Sequence, residues 1–164
     1  MHAAPSEAAR EAFERCCGAR AWIAAMIAAR PFANPEALHD AAARTARALS
    51  RLDWLEAFSH HPRIGAVAEL REKFATTAAW AGVEQDGAAG APDAVLEALA
   101  RANRDYEERF GYIFIVCATG KRADEMLSIL EARLPNDADR EFDLACAEQM
   151  KITRLRLDKL LEES

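Results

Sequence analysis

The chain has 164 residues, 51% of them apolar and 29% charged, with a net charge of −6. That length supports one domain, residues 1–164, with a proper core, and the balance is ordinary for a globular protein. An acidic chain without a basic tail or stripe argues against nucleic acid and an anionic membrane surface, and no stretch approaches the length of a membrane span.

The N-terminus, Met1-His2-Ala3-Ala4-Pro5, lacks a basic-then-apolar secretory pattern. The first helix starts at Pro5-Ser6, carries Phe13, Cys16 and Cys17, and breaks at Gly18. Ala21 to Ala29 is a second helix with Trp22, Ile23, Met26 and Ile27 at helical spacing, ended by Pro31. Asn34-Pro35-Glu36 restarts the chain with an N-cap, a first-turn proline and an acid, and the pattern holds to about Leu52. Asp53 then opens a short turn containing Trp54, Leu55 and Phe58, which leads into Ser59-His60-His61-Pro62-Arg63-Ile64-Gly65.

Beyond Gly65, Ala66 to Phe74 reads as a short helix, and Thr76 or Thr77 caps another that runs to Gln85. Asp86 to Gly90 is a flexible loop. Pro92-Asp93 starts a long helix with Leu96, Leu99, Asn103, Tyr106 and Phe110 on one face. Gly111 to Cys117 is wholly apolar after its glycine, and periodicity cannot separate a buried strand from a buried helix there. Ala123 to Arg133 is helical, Leu134-Pro135-Asn136-Asp137 stops it, and the last helix runs from about Ala138 to Leu161. The expected fold is all-α: a single-domain helical bundle of seven or eight helices, with at most one short extended segment.

Three places carry candidate chemistry. Pro62 removes an N–H and pushes His61 toward extended backbone, so the imidazole is oriented before a substrate arrives, and histidine moves protons near neutral pH. The same stretch also fits an ordinary interhelical loop. Glu84 lies one turn below Trp80 and Ala81, where a carboxylate beside apolar surface can act as an acid or as a histidine's partner; a solvated acid near a helix end fits equally. On the last helix, at about 100° per residue from Ile152, the residues Phe142, Leu144, Ala145, Leu155 and Leu160 fall within about 80° either side. Arg156 falls at about 40° and Arg154 at about 200°. A guanidinium in the core-facing stripe needs a partner, so Arg156 is either half of a structural ion pair or a two-pronged receptor for a carboxylate or planar amide ligand. Asn103 sits in an apolar stripe and is expected to anchor the backbone that follows its helix.

Other signals fail. Ala118-Thr119-Gly120-Lys121 is followed by Arg122 where a phosphate loop needs Ser or Thr, and the histidines (His2, His39, His60, His61) lack metal-ligand spacing, so no metal is expected. Cys16, Cys17, Cys117 and Cys146 form neither a zinc knuckle nor a disulfide framework and read as small buried residues of a reduced cytoplasmic protein. The final Glu162-Glu163-Ser164 is not a peroxisomal address.

An ordered set of motifs spans nearly the whole chain. It comprises Trp22, Arg30-Pro31-Phe32, His61-Pro62-Arg63-Ile64-Gly65, Glu84-Gln85, Asn103 with Tyr106, and Phe110-Gly111. It continues through Phe114-Ile115-Val116-Cys117-Ala118-Thr119-Gly120-Lys121, Arg133-Leu134-Pro135-Asn136, Glu148 with Lys151-Ile152, and Arg156-Leu157. Together they resemble 2-oxo-4-hydroxy-4-carboxy-5-ureidoimidazoline (OHCU) decarboxylase. The resemblance implies an all-helical, usually homodimeric enzyme without a cofactor, acting on a small ureidoimidazoline at the last step of urate breakdown to (S)-allantoin. It implies His61 and Glu84 as catalytic residues, and Pro62, Gln85, Arg156 and the backbone of Phe114, Ile115, Val116, Cys117 and Ala118 as substrate contacts. Ala81 stands where the family often has a serine, so one substrate hydrogen bond is lost there or supplied by backbone or water. Competing readings are a hydrolase of a neighbouring ureide or hydantoin, which needs an activated water, and a non-catalytic helical binding module.

Overall fold

The structure, a computed structural model, describes residues 6–63, 67–80 and 92–163. Among these the chain forms eight α-helices and no strand: α1 (Ser6–Cys16), α2 (Arg20–Ala28), α3 (Pro35–Arg47), α4 (Arg51–Ser59), α5 (Val67–Trp80), α6 (Asp93–Phe110), α7 (Ala123–Arg133) and α8 (Ala138–Glu162). No helix among the described residues is long and apolar enough to cross a membrane. The chain divides into two compact units. One takes Met1–His61, Ile115–Cys117 and Leu144–Ser164; the other takes Pro62–Phe114 and Ala118–Asp143.

In the first unit α2 is the hub, packing against α1, α3 and α4. Trp22 is fully buried and donates its indole N–H to the Ala42 carbonyl at 3.3 Å, and Phe13 meets its ring edge-on at 5.9 Å. Two polar ties lock the helix order: Arg20 donates its backbone N–H and Nε to Glu56 at 3.0 and 2.5 Å, and His39 pairs with Asp158 at 2.7 Å.

The boundary expected near Leu52 falls earlier. The third helix stops at Arg47, and Asp53 opens no turn, because Ser50 caps a new helix. The Ser50 hydroxyl accepts from the Asp53 N–H, and the Asp53 carboxylate accepts from the Ser50 N–H at 2.8 Å, a reciprocal box that starts α4. That box holds the Asp53 carboxyl below its ordinary value of 3.8, through hydrogen bonds from the Ser50 hydroxyl and N–H.

The second unit packs α5 and α7 against α6. α6 starts after Pro92 and closes on Gly111, whose φ of 80° is left-handed backbone that favours glycine. The break expected at Thr76 or Thr77 does not occur: α5 is continuous to Trp80, since a mid-helix threonine caps nothing while backbone bonding runs on. The expectation of a helix onward to Gln85 lies outside the described residues. Residues 111–117 are neither helix nor strand. Among the described residues Asn103 anchors no later segment; its amide donates back to the Leu99 carbonyl at 2.9 Å within α6.

The buried charge of this unit is Glu141, 0% exposed. It accepts from Tyr106 at 2.5 Å, Arg133 Nε at 2.8 Å and Asn136 at 2.9 Å, and the Arg133 guanidinium lies 4.7 Å from the Phe114 ring centroid. Burial and the bond to Glu141 push the Tyr106 phenol far above its ordinary range, so it stays a donor. The buried Arg–carboxylate pair considered for Arg156 thus belongs to Arg133.

Two predictions follow from these polar ties. Glu141→Ala strands Arg133 and should lower unfolding free energy by about 3–5 kcal/mol, read by urea denaturation. Asp53, with a depressed folded pKa, stabilises α4 fully above the ordinary carboxylate range and loses that contribution as pH falls through the folded value. The stability gap between wild type and Asp53→Ala should therefore close as pH is lowered from about 5 to about 2.

Candidate functional site

α4 ends where the next proline requires it to. His60 closes the helix at φ −80°, ψ −4°, and the His61 N–H still reaches the Phe58 carbonyl at 3.2 Å. Pro62 cannot extend the ladder, so His61 stands just past the last turn, half-buried. Its neighbour is set by a close approach. A Cβ on Gly18 would lie 2.1 Å from His60 Cγ and 2.5 Å from His60 Cβ, so the His60 ring packs directly on Gly18 backbone.

The His61 ring is tethered. Its Nε2 lies 2.6 Å from Oε1 of Gln149, a residue of α8 that is 1% exposed. The Gln149 amide donates to Thr153 Oγ1 at 3.2 Å, and the fully buried Thr153 hydroxyl donates to the Cys16 carbonyl at 3.3 Å. Cys16 ends α1, so that carbonyl is one a helix cannot satisfy internally.

These partners correct the helical-wheel picture of α8. Its buried positions are Glu141, Phe142, Ala145, Gln149, Thr153 and Leu157, whereas Leu144 and Leu155 are 36% and 40% exposed. The core-facing stripe is centred about 60° round from Ile152 and includes three polar residues that an apolar count passes over. Arg156, at about 40°, falls within the arc of that stripe and the exposed Arg154 does not, yet Arg156 is only half-buried.

His61 and Arg156 line one cleft of about 440 Å³, together with His60, Arg15, Cys16 and Lys159 among others. Arg156 Nη1 donates to the Arg15 carbonyl at 3.2 Å, which holds the guanidinium by its backbone side. Burial pushes the Cys16 thiol up to about 11, partly offset by Arg156, and raises Cys17 as well. Both remain thiols at neutral pH and supply no nucleophile. Cys117 and Cys146 are only half-buried, so the expectation of four buried cysteines holds for two.

The other expected site residues are distributed as follows. Ile115 is buried in the first unit, Val116 is half-buried, and the Cys117 N–H donates to Glu148 Oε2 at 2.7 Å; Glu148 also accepts from Lys151 at 2.5 Å. Pro62, Phe114 and Ala118 belong to the second unit. Phe114 packs 5.1 Å from Tyr106, and the Ala118 carbonyl accepts from the Lys121 N–H at 3.0 Å in a turn around Gly120, φ 74°. Ala81, Glu84 and Gln85 lie outside the described residues. Among the described residues no group of three or more His, Cys, Asp or Glu side chains gathers where it could hold a metal ion.

A family model for OHCU decarboxylase matches residues 2–158. The uric acid degradation bifunctional protein TTL of Arabidopsis thaliana is 34% identical over 171 residues, which cover 96% of this chain and 48% of that protein. The chain thus spans about half of that relative's length. The 2-oxo-4-hydroxy-4-carboxy-5-ureidoimidazoline decarboxylase of Haloferax volcanii is 29% identical, covering 83% of this chain and 79% of that one. A crystal structure of OHCU decarboxylase in the presence of (S)-allantoin superposes with a TM-score of 0.75 at 32% identity, covering 97% of this chain and 99% of that chain.

The Gly18 contact generates a prediction. Gly18→Ala forces His60 and the end of α4 to move, because the obstructing atoms include Cβ and not just a flexible tip. It should destabilise the fold by about 1–3 kcal/mol. The measurement is a urea melt beside Ala19→Gly, a nearby change that introduces no clash.

Proposed function

The chain belongs to the OHCU decarboxylase family, and from that membership we propose that it converts OHCU to (S)-allantoin and CO₂ without a cofactor. It acts as one OHCU decarboxylase-like domain, in the cytoplasm and as a homodimer, at the last step of urate breakdown. The observation that supports this most is the cleft shared by a tethered His61 and Arg156. A binding module would have fitted an Arg156 neutralised by a core acid away from His61; the guanidinium instead donates to a backbone carbonyl at the cleft. A hydrolase of a neighbouring ureide would need an activated water, usually metal-bound.

The substrate explains why no cofactor is needed. The carbon that loses CO₂ bears a hydroxyl and adjoins a ring carbon doubly bonded to nitrogen. When the C–CO₂ bond breaks, its electron pair forms a C=C bond, and the C=N π pair moves onto nitrogen, which takes up a proton. The enol-like intermediate then gives up its hydroxyl proton and gains one on the neighbouring carbon. The protein must orient the carboxylate, move those protons and keep water out. His61, tuned by Glu84, draws on the hydroxyl proton, and delivery to one face sets the S configuration. Arg156 and Gln85 hold the carbonyl and ureido groups, and Pro62, Ala81 and the backbone of 114–118 are the further substrate contacts of this reading.

The test generates the unstable substrate in situ from urate with the two preceding enzymes and follows optically active (S)-allantoin against slow racemic decay. Wild type should produce the S isomer faster than decay. His61→Ala should lose at least about a hundredfold in rate with its helical circular dichroism intact. Arg156→Ala should raise KM about ten- to a hundredfold. Near-normal turnover by a folded His61→Ala protein would remove the imidazole from the mechanism.

A further inference from the structure

The chain of bonds that starts at the end of α1 determines which nitrogen of His61 carries a proton. The Cys16 carbonyl is acceptor-only, so in that bond the Thr153 hydroxyl is the donor, while Cys17, which also hydrogen-bonds to Thr153, stays a thiol that can itself donate. The Thr153 oxygen is then left with lone pairs and accepts from the Gln149 NH₂ group. That fixes the amide the right way round: its carbonyl oxygen faces His61. With the amide reversed, two acceptor oxygens would meet at Thr153 in a buried site, where an unsatisfied pair is costly. A carbonyl oxygen 2.6 Å from Nε2 can only accept, so Nε2 must be the donor.

We propose that Gln149, held by Thr153 and the Cys16 carbonyl, is a positioning residue that keeps His61 in its Nε2–H form, so that the imidazole exchanges its working proton at Nδ1. The neutral ring therefore carries its lone pair on Nδ1. The protonated ring loses a hydrogen from Nδ1 and keeps the one facing Gln149. The imidazole needs no rotation between taking a proton and returning it, because the tether is identical in both states. Taken alone, the tautomer is a property of the folded protein; its catalytic use rests on the decarboxylase reading.

Several charged groups share the cleft with His61: Glu14 and Arg15 from α1, His60 after α4, and Arg156, Lys159 and Glu163 from α8. None of them replaces the neutral Gln149 at Nε2. A carboxylate introduced at position 149 therefore adds a charge beside Nε2 to what those groups contribute.

Ring ¹⁵N–¹H correlation spectra, with His61 assigned by its loss in His61→Asn, read the tautomer directly. On the alkaline side of its titration, wild-type His61 should show Nε2–H, whether or not the enzyme turns over OHCU. Thr153→Val removes the hydroxyl that orients the amide and should give a tautomer mixture. Its kcat should fall about ten- to a hundredfold with little change in KM. Gln149→Glu should keep Nε2–H and raise the His61 titration midpoint by about one unit or more, and the pH–rate limb should move with it. An Nδ1–H tautomer in wild type would overturn the proposal even if the protein decarboxylates normally. So would a Gln149→Glu pH profile that does not move. A correct tautomer in a protein inactive on OHCU would leave this assignment standing and remove the decarboxylase reading instead.

Discussion

A primary amide brings two donors and an acceptor wherever it goes, and at Gln149 it brings them to a position 1% exposed. A buried polar group left unpaired costs about 1–3 kcal/mol, so the surroundings must answer each demand. Thr153, one turn on in α8, accepts from the amide NH₂ and passes its own hydrogen to the helix-end carbonyl of α1, and the stretch after α4 brings an imidazole to the amide oxygen. The interaction across 88 residues between His61 and Gln149 is thus a condition on where α4 ends relative to α8 as well as a feature of the cleft.

The second unit meets a similar demand with charge. Glu141 is wholly buried, and Arg133, Asn136 and Tyr106 surround it. Breaking such a cluster is strongly destabilising, although a well-packed apolar replacement of the whole set can be neutral. Its residues come from α6, the end of α7, the turn that follows and the start of α8. The pairing therefore holds the turn around Pro135 as well as the core.

Much of the helical fold was legible because the punctuation is local. Asn34-Pro35 starts α3, with the Asn34 side chain accepting from the Ala37 N–H at 2.8 Å, and Gly111 ends α6 with the positive φ that glycine tolerates. α4 was misread as a turn because nine residues are too few for periodicity to stand out, although Ser50-x-x-Asp53 carried the start signal. The stripe of α8 was misplaced for a different reason. Counting apolar residues gave weight to Leu144 and Leu155, which are exposed, and none to Gln149 and Thr153, which are buried. His61 and Arg156 could be singled out from a following proline and a wheel position. The partner of His61 could not, since no spacing rule links residues 61 and 149. The i, i+4 pair of hydrogen-bonding side chains in α8 was the available hint.

The tether on His61 contains no ionisable link. Its members are a backbone carbonyl, a hydroxyl and an amide. Where an aspartate steers a histidine, acid neutralises the aspartate and added salt screens a surface pair. An amide is indifferent to both, so the ring's aim should persist through changes of acidity and ionic strength that would loosen a charged clamp. The trade is that such a clamp cannot strengthen as the imidazole becomes cationic as a carboxylate would, which leaves the affinity of that ring for its proton to be adjusted by other groups.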